Sequence, residues 1–104
     1  MRANQSERLH RIREFEFKHH HWQATQIETT IGELDRICID LGHQIEAEET
    51  LARIHDPAHF AYPTYAKAAR ERRTKIQHSK NVLRAELDRL RAKVNETTDR
   101  RHAA

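Results

Sequence analysis

Apolar positions recur every three or four residues along most of the chain. In the first half Ile27, Ile31, Leu34, Cys38, Leu41, Ile45, Glu48 and Ala52 are spaced alternately four and three apart, the seam of a coiled coil. In the second half Ala69, Ile76, Leu83, Leu87, Leu90 and Val94 keep a compatible phase, interrupted by Arg73 and Lys80. No proline occurs between Asn4 or Ser6, either of them a good N-cap, and Asp56; neither proline nor glycine occurs between Thr64 and about Asp99. Pro57 and Pro63 bracket the break, and each biases the residue before it away from the helical region. The pattern predicts a helix over about 5–54, a turn over about 55–63, a helix over about 64–99 and a short frayed tail. Two helices joined this closely lie antiparallel, so the expected fold is all-α: one domain, two long helices forming an antiparallel coiled-coil hairpin.

Composition narrows the alternatives. With two Gly and two Pro in 104 residues, the chain lacks the regular turns of an all-β or α/β domain. Charged residues make up 34% of it, yet the net charge is only +3, so the placement of charge matters more than its sum. Residues 26–49 carry seven acids against Arg36, whereas residues 66–80 carry six bases against Glu71. Folding at residues 59 and 60 lays much of the acidic stretch beside the basic one. A hairpin this thin is marginal alone, and Gly32 and Gly42 inside the first helix cost roughly 1 kcal/mol each, so self-association or a larger assembly is expected.

Reactive chemistry finds little support. Neither glycine sits in a phosphate-cradling pattern, the two serines, Ser6 and Ser79, fall outside any strained turn, and Cys38 lies on the seam with no second cysteine to pair. His19, His20 and His21 point about 100° apart on a helix and cannot converge on one ion. His55 and His59 have zinc-helix spacing, but Pro57 stands between them. The expectation is a protein that is no enzyme and binds no cofactor or metal. The start has no apolar h-region and no apolar run approaches the roughly 20 residues of a membrane span, so a cytoplasmic location without direct membrane insertion is expected.

Two surfaces stand out as partner-binding candidates. Pairing residue i with about 119 minus i sets Asp99 against His20, leaving residues before about 19 without an opposing helix. That segment carries Leu9, Ile12, Phe15 and Phe17 among Arg8, Arg11, Arg13 and Lys18. It would meet a different protein, pair with the same segment of another copy, or fray. At the turn, Phe60, Tyr62 and Tyr65 are half of the six aromatics and are followed by Arg70, Arg72 and Arg73. Those aromatics either close the end of the seam or form, with the arginines, a docking site.

The run His55-Asp56-Pro57-Ala58-His59-Phe60-Ala61-Tyr62-Pro63-Thr64-Tyr65-Ala66-Lys67-Ala68-Ala69, continuing to Arg72-Arg73, resembles the hairpin-turn signature of alphaproteobacterial FliJ-type flagellar export proteins. The match is contiguous over about 19 residues and falls on the expected turn. The resemblance implies a soluble coiled-coil component of flagellar type III secretion, similar to the central stalk of rotary ATPases and peripheral at the flagellar basal body. It implies as partners the export ATPase ring, the export gate protein and export chaperones. Two rival readings remain. One is a homo-oligomeric coiled-coil scaffold. The other is a basic arm binding nucleic acid through Arg70, Arg72, Arg73, Lys75, Lys80, Arg84, Arg89 and Arg91, against which the acidic first arm argues, so no nucleic acid is expected.

Overall fold

A computed structural model describes the backbone of residues 2–103 and the side chains of residues 4–99. The chain is an all-α hairpin of two helices, α1 (Arg2–Ala52) and α2 (Thr64–Ala103). Helix α1 already includes Asn4 and Ser6, so neither caps it, and it ends slightly earlier than the pattern suggests. Helix α2 runs past Asp99 to Ala103, through most of the stretch expected to fray. Gly32 and Gly42 are accommodated inside α1 without interruption.

The end of α1 has a local cause. Arg53 adopts φ 56°, the left-handed region. The Arg53 amide donates to the Thr50 carbonyl (3.3 Å) and the Ile54 amide to the Glu49 carbonyl (3.2 Å). This pair of bonds is the Schellman closure, which satisfies carbonyls that the helix leaves open. The connection then tightens on its own side chains. Asp56 Oδ1 accepts from the Ala58 amide (2.9 Å) and His59 Nδ1 from the Ala61 amide (3.0 Å), each two residues on. The Pro63 carbonyl accepts the first helical bond of α2, from the Lys67 amide at 3.0 Å.

Two compact units divide the hairpin: residues 30–82, which contain the turn, and residues 1–29 with 83–104. In the turn unit Leu41, Ile45 and Ala69 form the core, with Ile37 and Ile76 packed against it. Burying Leu41 and Ile45 contributes roughly 1.5–3 kcal/mol each. Ala66 is fully buried, and it and Ala69 are small enough to let the arms approach. The interruptions of the apolar seam have specific answers. Lys80 reaches across to Asp35. Arg73 Nη1 passes 3.6 Å from the point where a Cβ on Gly42 would sit.

In the unit that carries the chain ends, Ala24, Leu87 and Leu90 are buried, with Ile27 and Val94 half-buried beside the seam. Arg91 Nη2 pairs with Glu28 Oε1 at 2.8 Å. Thr97 is buried too, and its hydroxyl donates to the Lys93 carbonyl (2.9 Å), whereas His20 Nδ1 is buried without a hydrogen-bond partner. Among the described residues no helix is long and apolar enough to cross a membrane.

Candidate functional site

Inside the turn unit, the last turn of α1 presents Glu49 to the start of α2. The seam pattern assigned this role to Glu48, one residue earlier; Glu48 is only half-buried, whereas Glu49 is 7% exposed. The reason is chemical. Glu49 Oε2 accepts from the Tyr62 hydroxyl at 2.7 Å and from Arg70 Nη2 at 2.9 Å, and Arg70 Nε donates to the Tyr62 oxygen at 2.7 Å. The Arg70 guanidinium also lies 5.9 Å from the centre of the Tyr62 ring. A buried carboxylate persists only when paired and hydrogen-bonded, and this closed triangle does both. The Tyr62 hydroxyl, followed by Arg70, holds the Glu49 carboxyl below its ordinary value, and Tyr62 and Glu49 together hold the Arg70 guanidinium above its own. His55 Nδ1 stands 3.7 Å from the other carboxylate oxygen.

This triangle divides the tip residues singled out from the sequence. Tyr62 is buried and Arg70 is engaged, so both close the seam's end. Phe60 is 97% exposed and stacks only on His59, at 4.7 Å between ring centres. Tyr65 is exposed on the α2 side, its hydroxyl donating to Gln44 Oε1 at 3.2 Å. Arg72 is exposed, and Arg73 is half-buried over Gly42. What the turn offers outward is therefore Phe60, Tyr65 and Arg72.

The second candidate surface lies on α1 in the other unit. Leu9, Ile12 and Phe15 are exposed, as are Arg11 and Arg13. Phe17, expected to be uncovered, is half-buried. Its ring stacks on His21 at 6.1 Å. Two residues missed in the sequence belong to this surface. Phe15 stacks on His19 (5.8 Å) and His19 on Trp22 (6.4 Å), with Trp22 59% exposed. The spacing 12, 15, 19, 22 carries that signal, but it passes through His19, inside the run of three histidines, rather than through an apolar residue.

Among the described residues no three His, Cys, Asp or Glu side chains gather where they could hold a metal ion. Cys38 is buried as a free thiol. No protein-family model, no curated protein and no solved structure matches the chain.

Proposed function

We propose that this chain is a non-catalytic coiled-coil component of a flagellar type III export apparatus, serving as stalk or adaptor for the export ATPase, the export gate and export chaperones. One observation carries the reading. The residues that resemble the FliJ-type signature are the turn itself, and the buried Tyr62, Ala66 and Ala69 with the half-buried Arg70 fix that turn while Phe60 and Tyr65 are left outward. A run whose inward half builds a rigid cap and whose outward half is aromatic suits a contact surface. On this reading the tip aromatics make one contact. Leu9, Ile12, Phe15 and Phe17, with Arg11 and Arg13, make the inserting or gate-binding one.

Mechanistically, a helical hairpin seated against an asymmetric ring touches its subunits unequally. Any difference in affinity between ring states shifts their populations by that difference. The chain itself hydrolyses nothing in this scheme. The test combines the purified chain with the export ATPase of the same organism, recording binding by calorimetry and the ATPase rate. Saturable binding with a faster, more cooperative ATPase is expected. Absence of binding across salt and protein concentrations would remove the stalk role and leave a homo-oligomeric scaffold.

A further inference from the structure

Along the first turns of α1 the apolar positions change sides. The seam that faces α2 is buried at Ala24 and half-buried at His20 and Phe17; continued toward the N-terminus at the same spacing it meets Arg13 and His10, both exposed and polar. The exposed large apolar groups of this stretch are instead Leu9, Ile12, Phe15 and Trp22. Ile12, Phe15 and Trp22, with the His19 ring between the last two, are spaced three, four and three. These are successive a and d positions of a heptad in which Phe17, His20 and Ala24 take f and b, on the far side of the helix. The rings of Phe15, His19 and Trp22 are stacked in line, and Ile12, Phe15 and Trp22 are each at least half exposed. Helix α1 therefore carries a second, outward seam with no helix on it among the described residues.

The flanking charges say what fits. Beside this seam, g positions are Arg11 and Lys18 and the e position between them is Glu16. Arg11 and Glu16 are both exposed. In a parallel pair of helices each g residue faces the partner's e residue five positions further on, so Arg11 meets a second copy's Glu16, and by symmetry Glu16 meets its Arg11. In an antiparallel pair g faces g, and the basic Arg11 and Lys18 oppose like charges. We infer that a second copy of this chain docks parallel on α1 through Ile12, Phe15, His19 and Trp22, with Arg11 and Glu16 setting its direction.

This goes beyond the export reading and does not depend on it. A second copy would compete with any other partner of Ile12 and Phe15. Sedimentation equilibrium over a wide concentration range tests it, with Arg11→Glu and Glu16→Arg as separate variants. Both residues are exposed, so helix content by circular dichroism should be unchanged. Each variant places like charges opposite one another and should weaken self-association about tenfold, the size expected for two exposed ion pairs turned repulsive. An equimolar mixture of the two recreates opposite charges at both sites and should regain association between unlike chains. Phe15→Ser should abolish it in either background. The inference is overturned if the wild-type chain stays monomeric throughout, if the single variants associate like wild type, or if mixing restores nothing.

Discussion

Tyr62 donates its hydroxyl to Glu49 at 2.7 Å, joining residues on either side of the turn through the most buried carboxylate of the hairpin. The bond fixes where α2 begins relative to the end of α1. Because Arg70 completes the triangle, the arrangement depends on Glu49 being ionised.

The acid response follows from that. The Glu49 carboxyl is held below its ordinary value of 4.5 by Tyr62 and Arg70, so its folded-state pKa is depressed. Its stabilising contribution is complete above the unfolded-state value, erodes as pH falls below it and is gone beneath the folded-state value. Thermal melts from roughly pH 7 to pH 3 should show the melting temperature dropping on acidification. In Glu49→Gln the drop should be shallower, from a lower starting point. Tyr62→Phe should lower the midpoint and bring the Glu49 titration, followed by carboxyl-carbon NMR, back toward the ordinary value.

Core and surface leucines of the same helix should behave oppositely. Leu41 is buried with Ile45 and Ala69, and Leu41→Ala should cost about 2–5 kcal/mol. Leu51 is 82% exposed, and Leu51→Ala should change stability by less than about 0.5 kcal/mol. Urea unfolding followed at the helix signal measures both; equal effects would mean that the seam is not where the hairpin gains its stability.

Both helical glycines should be replaceable. A Cβ at Gly32 meets nothing within 4 Å, and one at Gly42 meets only the Arg73 side chain at an ordinary 3.6 Å. Gly32→Ala and Gly42→Ala should each stabilise by about 1 kcal/mol. Destabilisation at residue 42 alone would show that Arg73 needs the open space.

At the Schellman closure the relation reverses. Arg53 has φ 56°, where a side chain is disfavoured, so Arg53→Gly should stabilise by up to roughly 1 kcal/mol. An unchanged or lower urea midpoint would indicate that the Arg53 side chain contributes a compensating contact.

The hairpin was legible because heptad spacing and paired prolines are local signals. Ile27, Leu41, Ile45 and Leu87 announce their face through neighbours three and four residues away. Glu49 did not, since Glu48 and Glu49 look alike until Tyr62 and Arg70 are placed opposite them. The turn aromatics were found as a group, but which of them pointed inward depended on contacts between the arms. Trp22 lies on a second stripe, which begins where the first turns polar and is continued by His19 rather than by an apolar residue.

That change of side gives α1 a property of phase. Successive residues on a helix advance by about 100°, so the azimuth between the stripe facing α2 and the stripe through Ile12, Phe15 and Trp22 is set by the residue count between them. One residue inserted between Trp22 and Ala24 would leave composition, charge and helicity almost untouched, yet swing the outward stripe by more than a quarter turn about the shaft. The length of this segment is thus a dial, and the direction in which the molecule offers its aromatic face is written in the number of residues as much as in their kind.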